Sequence, residues 1–422
     1  MREIVLTGLN HKTAPVAMRE RLAMSRQECM EAIDALREHP HVDEVLLFST
    51  CNRVEVLMAA KDGEAAVAAA KGYISALKGL PVDEFESCLY VHHREEAVRH
   101  MFSVAASLDS MVVGEPQILG QVKDAYHLTA SKKGTGPLLN RLMHRTFHVA
   151  KRVRSETGIG DSAVSISYAA IELARKIFGT LEGRKILLVG AGEMAELAVE
   201  HLIQHQAGDI FVANRTLDRG VELARRFNGS AIALEEIPET LTGVDIIISS
   251  TGSPTCVITR DMVKPVIKRR KGRSIFFIDI AVPRDIDPAI NRLSNAYVYD
   301  IDDLKEVIDG NIETRRAEAI KAERIVAEGV VAFSGWVEGL RTVPTIKAVR
   351  AKVASIAEGE VEKTLSGLTG LSEEEKAAIR RMGQAIVTKV VHDPIRFIKD
   401  GCHNRDESRA LSYARSFFNI HD

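Results

Sequence analysis

A glycine-rich turn between an apolar run and a helical stretch restricts the fold of this chain more than any other feature. Residues 186–189 read Ile-Leu-Leu-Val, as in a strand covered on both faces of a parallel sheet. Residues 193–204, just beyond the turn, have amphipathic helical spacing. The six residues of the turn are Gly190, Ala191, Gly192, Glu193, Met194 and Ala195. This G-x-G-x-x-A fingerprint, in its strand–turn–helix setting, predicts a dinucleotide-binding site.

The end of the following strand predicts which dinucleotide is bound. NAD-binding domains place an acidic residue there to hold the ribose 2′-hydroxyl. Here the strand at 210–213 is followed by Asn214, Arg215 and Thr216, with no acidic residue before Asp218. Arg215 can pair with a 2′-phosphate and Thr216 can donate a hydrogen bond to it. We therefore predict NADPH as the cofactor, bound by the turn and by residues 214–216.

The surrounding sequence predicts three domains. Apolar runs at 246–249 and 275–278, separated by helical stretches, extend the first motif into a doubly wound, Rossmann-type NADP-binding domain over residues 156–300. Before it, strands at 4–9, 45–48, 54–58 and 88–91 and helices at 26–38 and 64–77 alternate as β-α-β-β-α-β. This order predicts a ferredoxin-like α/β domain within residues 1–155. The chain is thus an α/β multidomain protein.

The last third, residues 301–422, is predicted to be helical. Residues 303–341 hold good helix formers and no proline, which predicts a helix of about 39 residues, roughly 58 Å long. Such a rod is too long for one compact core. We predict a long spinal helix followed by an α-helical dimerisation domain, and hence a homodimer; a spacer in a monomer is the alternative.

Composition excludes several classes of protein. Lys and Arg number 56 against 58 Asp and Glu, so the net charge of −2 argues against a basic nucleic-acid coat. Any contact with RNA would then rest on local basic stretches such as 141–154 and 264–273. No apolar run is long enough to span a membrane, and the first residues resemble no secretion signal, so we expect no membrane partner and a cytoplasmic location.

The cysteines and histidines predict neither a disulfide framework nor a metal site. The five cysteines are scattered and never in C-x-x-C spacing. The pairs His144/His148 and His201/His205 lack a third ligand at a familiar spacing.

Cys51 is the one cysteine in a polar strand-to-strand turn, two residues before Arg53. A nearby cation lowers the pKa of a thiol, which makes Cys51 our candidate nucleophile. The alternative is an inert turn cysteine.

Three segments carry a resemblance to a known family. Residues 8–15 (GLNHKTAP), 49–55 (STCNRVE) and 114–123 (GEPQILGQVK) are similar to the defining segments of glutamyl-tRNA reductases. The stretch from His100 through Ser107-Leu108-Asp109-Ser110 also matches in order and spacing, and the resemblance extends over essentially the whole chain. It implies a three-domain protomer strung along a spinal helix and assembled as a V-shaped homodimer.

The resemblance also implies a reaction. Cys51 would attack glutamate esterified to tRNA, releasing tRNA and leaving a thioester that NADPH reduces to glutamate-1-semialdehyde, the precursor of tetrapyrroles. His100 would act as acid or base. The downstream glutamate-1-semialdehyde aminomutase is a candidate partner. The residues that the resemblance assigns to substrate binding are Thr50, Asn52, Arg53, Ser110, Glu115, Pro116, Gln117 and Gln121.

Two other interpretations stay open at this point. A dehydrogenase of the shikimate type shares the Asn-Arg-Thr strand end and would act on a free hydroxy or keto acid even after Cys51→Ser. A nucleotide-sensing or assembly protein would bind NADPH without turnover. Because Cys51 and Gly190 belong to different predicted domains, the enzyme interpretation also predicts domain closure, with a hinge at 158–160 and at 300–303.

Overall fold

The protein has two sheets in its first compact unit and a helical second unit. The computed structural model describes residues 2–115, 117–159, 166–226, 228–304, 312–403 and 407–420. The units are Met1–Ala327 and Glu328–Asp422. Among the described helices, none is both long and apolar enough to cross a membrane.

The first sheet confirms the predicted ferredoxin-like arrangement. Its four strands pair antiparallel in the order β2-β3-β1-β4. The strands are β1 (Glu3–Asn10), β2 (Val42–Ser49), β3 (Arg53–Ala60) and β4 (Tyr90–His93). The last strand begins two residues later than the predicted 88, because Glu86–Cys88 forms a 3₁₀ turn before it.

Helices cover both faces of this sheet. On one face, side chains such as Val5, Val45 and Val56 share a core with α2 and α3. The other face is covered chiefly by α5 and α7, which contact β1, β2 and β3, while Leu128 of α6 joins the first core. The helices that precede the second sheet in the chain are α1 (Val16–Leu22), α2 (Arg26–Glu38), α3 (Gly63–Lys78), α4 (Val82–Phe85), α5 (Arg94–Ala105), α6 (Gln117–Ser131), α7 (Pro137–Glu156) and α8 (Ile166–Phe178). The last of these, α8, packs against the core of the second sheet.

Local sequence explains where two of these helices begin. Ser25 and Glu28 form a reciprocal capping box at the start of α2, with N–H to side-chain distances of 3.2 and 2.7 Å. At α7 the cap comes from another strand: the buried Glu44 carboxylate accepts from the backbone N–H groups of Gly136, Leu138 and Leu139. A carboxylate at a helix N-terminus satisfies donors that have no partner within the helix.

The second sheet confirms the Rossmann-type prediction. All six strands are parallel in the order β10-β9-β8-β5-β6-β7, the doubly wound 3-2-1-4-5-6 order. The strands are β5 (Ile186–Val189), β6 (Ile210–Ala213), β7 (Ser230–Ile232), β8 (Ile246–Ser249), β9 (Ile275–Asp279) and β10 (Ala296–Tyr299). The edge strands β7 and β10 were not predicted, since edge positions do not need a continuous apolar run. The helices are α9 (Glu193–Gln204), α10 (Leu217–Arg225), α11 (Ile237–Thr240) and α12 (Arg260–Arg269).

The long helix is present, but its predicted start at 303 is wrong. Residues 301–304 form a turn in which the Asp300 side chain accepts from the backbone N–H of Asp302 at 3.0 Å. Residues 305–311 lie outside the described part of the chain. The described helix α13 (Ile312–Gly339) has 28 residues and ends at a glycine, two residues before the predicted end at 341.

The second unit packs three further helices around its own small core. These are α14 (Thr342–Gly367), α15 (Glu373–His403) and α16 (Glu407–Phe417). Val349 of α14, Val391, Ile395 and Ile398 of α15 and Ala414 of α16 form the buried cluster that joins them.

Candidate active site

The turn between β2 and β3 holds Cys51 in a defined position. The backbone N–H of Thr50 donates to the carbonyl of Arg53 at 2.8 Å, and the N–H of Asn52 donates to Thr50 Oγ1 at 3.2 Å. Directly after β1, the N–H of His11 donates to the Asn52 carbonyl at 3.0 Å. The turn is therefore tied to the sheet on both sides, and the nucleophile candidate sits on a rigid element.

Arg19, on α1, holds this turn through hydrogen bonds from its side chain. Its side chain is 1% exposed, and Nη1 donates to the Cys51 carbonyl and to Asn52 Oδ1, both at 3.0 Å. Its Nη2 pairs with Asp302. Sequence reasoning missed Arg19, because a single arginine in a short helix has no signal that distinguishes it from a solvated one.

The surroundings of Cys51 keep its sulfur protonated at rest. Burial raises the pKa of the thiol to about 12, with a further rise from the Glu115 carboxylate, and Arg19 and Arg53 lower it by less. The expectation that Arg53 gives Cys51 a depressed pKa is therefore wrong for this structure. The physical reason is that desolvation penalises the thiolate more than the neighbouring cations favour it.

Arg53 is bound inside a buried ion network. Its Nη1 donates to Glu55 Oε1 at 2.7 Å, and its Nη2 donates to Asp109 Oδ2 at 3.1 Å and to the Asp109 carbonyl. Asp109 also accepts from Asn10 Nδ2 at 3.1 Å and pairs with Lys12. Both terminal nitrogens of Arg53 thus bind groups of the protein itself. The substrate-binding role of Arg53 stays a prediction.

Glu55 is the hub of this network and was given no role by the sequence. Its Oε1 accepts from Arg53, from Tyr90 Oη and from His100 Nε2, the last at 2.7 Å. Burial alone would raise the pKa of Glu55, but His100 and Arg53 outweigh it and hold that pKa at about 2. Glu55 thereby fixes the ring orientation of His100. The rings of His92 and Tyr90 lie 4.8 and 5.1 Å from the His100 ring between centroids.

A glycine makes room for this hub. Gly8 lies between Glu55 and Tyr90 in the register of the sheet. A Cβ at Gly8 would come within 2.5 Å of the Val54 carbonyl oxygen and 2.7 Å of Glu55 Cγ. The family-like GLNHKTAP segment therefore needs glycine at its first position for a packing reason.

The loop before α6 brings the remaining predicted substrate residues towards the turn. Gly114 N–H donates to the Ser107 carbonyl at 3.0 Å, which closes the loop. Ser110 and Gln117 are buried, and Ser110 Oγ and Gln117 Nε2 have no hydrogen-bond partner in the described part of the chain. Gln121 lies half-buried one turn further along α6, and Pro116 lies outside the described residues. These assignments stay predictions.

The cofactor fingerprint follows the carboxyl end of β5 in the second sheet. A cleft of about 310 Å³ is lined by six of the predicted residues: Gly190, Ala191, Gly192, Asn214, Arg215 and Thr216. Ala195 is instead buried in the core, where it packs as its role in the fingerprint requires, and Met194 packs against the same core. The side chain of Glu193 is outside the described residues.

The geometry of the turn fits a phosphate-bearing dinucleotide. Gly190 has φ +105°, and a Cβ there would lie 2.3 Å from the Ser250 carbonyl oxygen. Gly192 is the N-cap of α9 and has open space around its Cα. Arg219 joins Arg215 on the cleft wall, and none of the described lining residues is acidic. Exposed guanidinium groups at a helix N-terminus suit a phosphate.

A buried carboxylate braces the opposite wall of the cleft. Asp285 accepts from Ser249 Oγ and from the backbone N–H of Thr251, both at 2.7 Å, and from Thr251 Oγ1. Burial raises the pKa of Asp285 and raises that of nearby Asp279 to about 8. Sequence reasoning missed Asp285, because it stands in a loop with no dinucleotide motif. No cluster of three metal-ligating side chains occurs among the described residues.

Three family models match successive parts of the chain. Residues 7–157 match the N-terminal domain of glutamyl-tRNA(Glu) reductase, and residues 321–420 match its dimerisation domain. Residues 172–307, between them, match shikimate/quinate 5-dehydrogenase. The dehydrogenase-like region, which indicates a nicotinamide cofactor, is therefore flanked on both sides by segments that shikimate dehydrogenases do not account for.

Full-length relatives give the same assignment. Glutamyl-tRNA reductase from Desulfatibacillum aliphaticivorans is 54% identical over 421 residues, which cover 100% of this chain and 97% of that protein. The protein of that name from Desulfotalea psychrophila is 50% identical, with 99% and 98% covered. A solved glutamyl-tRNA reductase from Methanopyrus kandleri is 31% identical, with a TM-score of 0.46 and 100% of both chains covered. On the evidence of its sequence relatives, the chain belongs to the glutamyl-tRNA reductase family.

Proposed function

We propose that this protein is an NADPH-dependent glutamyl-tRNA reductase that produces glutamate-1-semialdehyde and free tRNA, the first step of tetrapyrrole synthesis. One observation carries the mechanism: Cys51 lies in a fixed turn and packs against an apolar cluster that also contains Ile278 and Ile280. These two residues belong to the cofactor-binding half, by which we mean the part of the first unit that contains the parallel sheet. A covalent acyl group on its sulfur would thus be held at the boundary between the two sheets.

In the first step, Cys51 Sγ attacks the ester carbonyl of the glutamyl group. The C–S bond forms, the C–O bond to the tRNA ribose breaks, and the thiol proton ends on the released tRNA hydroxyl. The raised pKa of Cys51 means that this proton must leave during attack. A substrate ammonium paired with Glu115 would remove one of the charges that raise the thiol pKa, so substrate binding itself would promote ionisation.

Covalent capture makes the second step chemically accessible. A thioester lacks the resonance of an oxygen ester and is reduced more readily, so the cysteine divides one difficult reaction into two. NADPH, when held by residues 190–192 and 214–216, would supply a hydride to the thioester carbonyl. With one proton, this would release the aldehyde and restore the Cys51 thiol. His100, held by Glu55 at 2.7 Å, is our proposed proton donor or acceptor.

The cofactor preference rests on the charges of the cleft. The backbone N–H groups of the turn at Gly190 and Gly192 would bind the pyrophosphate. Arg215 and Arg219, both exposed on the cleft wall, would hold the 2′-phosphate, which NADH lacks.

Trapping the acyl group tests the reaction. Protein incubated with tRNA charged with labelled glutamate, without NADPH, should carry label on Cys51, whereas Cys51→Ser should carry none. Cys256→Ser, which removes an exposed cysteine, is the matched control and should label normally. Absence of label on the wild-type protein would defeat the thioester mechanism. Oxidation of a free hydroxy acid by Cys51→Ser would favour the shikimate-type alternative instead.

The proposed homodimer has its own support. The last third matches a dimerisation-domain model, and α15 exposes one apolar stripe. The stripe consists of Met382, Ile386, Val390 and Phe397, which are 58%, 52%, 53% and 57% exposed. Sedimentation should give a dimer at micromolar concentration and a monomer for Ile386→Glu. Thr388→Glu, on another side of the same helix, should remain dimeric.

Two further assignments complete the proposal. The three functional segments would follow the boundaries 1–155, 156–300 and 301–422, with tRNA contacting local basic stretches. The aldehyde product would pass to glutamate-1-semialdehyde aminomutase as a partner enzyme, which co-sedimentation of the two proteins would detect.

A further inference from the structure

Two consecutive residues of α1 join the Cys51 turn to the cofactor-binding half of the first unit. Arg19 holds the Cys51 carbonyl with Nη1 and Asp302 with Nη2. Glu20 accepts three hydrogen bonds from Arg284, from its backbone N–H at 2.6 Å, its Nε at 2.8 Å and its Nη2 at 2.8 Å. We call these four residues, Arg19, Glu20, Arg284 and Asp302, the α1 clamp.

The clamp is connected to the wall of the cofactor cleft by the peptide bond between Arg284 and Asp285. Arg284 is followed in the chain by Asp285, whose carboxylate fixes Ser249 and Thr251 at the cleft wall. A contiguous series of side chains thus runs from the carbonyl of the nucleophile to the wall of the cofactor site. Contiguity alone does not couple the Cys51 turn to the cofactor cleft.

The helix that carries the clamp also contributes to the apolar cluster beside Cys51. Val16, on the same helix as Arg19 and Glu20, lies in the apolar cluster against which Cys51 packs, together with Ile280 and Ile301. Glu20 lies one helical turn after Val16, and the Glu20 and Arg284 side chains are 17% and 21% exposed, so the pair lies at the solvent edge of this helix. Cys51 is only partly exposed in this arrangement, and separating the two halves at Glu20 and Arg284 would expose its sulfur further.

We propose that the Glu20–Arg284 pair is a positioning contact that keeps the Cys51 sulfur shielded between the two halves. Shielding determines the fate of an acyl group on Cys51. Water that reaches the thioester carbonyl adds to it, the C–S bond breaks, and free glutamate and the thiol are formed, whereas the shielded thioester persists until it is reduced. The clamp therefore sets the ratio of aldehyde to glutamate; this second part rests on the proposed function.

The shielding itself can be tested on the resting protein, without substrate or cofactor. Iodoacetamide labelling, followed at Cys51 by mass spectrometry with exposed Cys256 as the internal reference, reports access to the sulfur. Glu20→Gln and Arg284→Gln should each label Cys51 about tenfold faster. The conservative variant Glu20→Asp, which keeps the carboxylate, should label Cys51 within about threefold of the wild-type rate.

The same helix offers a matched control. Arg21, the next residue, pairs with Glu84 at 2.8 Å on the exposed side of α1. Glu84→Gln removes the same kind of charge from a partner of the same helix and should leave the Cys51 rate unchanged. Equal labelling rates in the wild type, Glu20→Gln and Arg284→Gln would overturn the proposal, as would an equal acceleration in Glu84→Gln.

The partition of the thioester provides the second readout. With NADPH, Glu20→Gln should raise the glutamate-to-aldehyde ratio about tenfold while the rate of thioester formation stays within about twofold. Without NADPH, the labelled thioester should decay correspondingly faster than in the wild type. A proportional fall in thioester formation and reduction, at an unchanged ratio, would mean a merely structural role and overturn this part. Failure of the wild type to form any thioester would defeat the proposed function, while the labelling test of shielding would stand.

Discussion

The two sheets of the first unit hold their charged groups in opposite ways. On the antiparallel sheet, Arg53 and Glu55 are 1% and 0% exposed and are paired with each other, and Arg53 also pairs with Asp109. In the cleft of the parallel sheet, Arg215 and Arg219 are exposed to the open space into which a ligand would bind. One region completes its ion pairs within the protein, and the other presents cations to a charge that arrives with the ligand.

The difference follows from whether the partner charge belongs to the protein or to the ligand. Removing a charge from water costs several kcal/mol, and a buried group is tolerated only when its partners are all in place. The buried network therefore fixes the positions of Arg53 and His100 before substrate arrives. A phosphate-binding wall needs no such internal partner, because the ligand supplies it.

The largest effect should come from breaking the buried network at its hub. Glu55→Gln removes the charge that Arg53 and His100 share, and leaves Arg53 with Asp109 as its remaining carboxylate partner. We expect a loss of about 3–5 kcal/mol in the free energy of unfolding, measured by denaturant titration. Arg215→Gln, which removes a charge from the exposed cleft, should change that free energy by less than about 0.5 kcal/mol. Similar losses in both variants would remove the contrast between the regions.

The same network should make the first sheet sensitive to acid. Because the pKa of Glu55 is held at about 2 in the folded protein and its ordinary value is 4.5, the carboxylate stabilises the fold above pH 4.5. This contribution is lost as the pH falls from 4.5 towards 2. The free energy of unfolding of Glu55→Gln should therefore fall less steeply than that of the wild type in this range. Parallel slopes would show that Glu55 is not held ionised.

A substitution at Gly8 tests whether the Glu55 side chain needs the space that this glycine leaves. Gly8→Ala places a Cβ 2.5 Å from the Val54 carbonyl and should cost about 1–3 kcal/mol in the free energy of unfolding. Gly72→Ala is the matched control, since a Cβ there meets nothing within 4 Å inside α3. It should stabilise the protein by up to about 1 kcal/mol. A neutral Gly8→Ala would mean that the sheet accommodates the methyl group freely.

On the other side of the comparison, the exposed cleft should respond through its ligand. Arg215→Ala should weaken NADPH binding by about 10–100-fold and leave NADH binding unchanged, because only NADPH carries the 2′-phosphate. Arg269→Ala, an exposed arginine at the end of α12 that does not line the cleft, serves as the control in a fluorescence titration. Equal loss for both dinucleotides would contradict the NADPH assignment.

The smallest effect should be the change in reactivity of Cys51 itself. Glu115→Gln removes a carboxylate that raises the pKa of the thiol, so alkylation of Cys51 at pH 8 should become about three- to tenfold faster. The exposed Glu95→Gln changes net charge equally and should have no effect on the rate. An unchanged or slower rate in Glu115→Gln would show that the Glu115 carboxylate does not raise the pKa of the Cys51 thiol.

The fold was largely predictable because its strongest signals are local. Continuous apolar runs identified the four central parallel strands, and β5, β6 and β8 have the predicted bounds. The edge strands β7 and β10 were missed because they need less apolar sequence. The start of the long helix was misplaced because the turn at 301–304 is set by a side-chain cap at Asp300, which the helix-forming composition around it conceals.

The amino-acid sequence by itself determined the fold class, the position of the predicted dinucleotide-binding turn and the choice of Cys51 as candidate nucleophile. Each of these depends on residues that are neighbours in the chain or repeat at a fixed spacing. Only the tertiary structure decided the protonation of Cys51, the engagement of Arg53 by Glu55 and Asp109, and the α1 clamp. These depend on burial and on ion pairs between residues as far apart as Glu20 and Arg284, and neither desolvation nor long-range pairing leaves a periodic trace in a sequence.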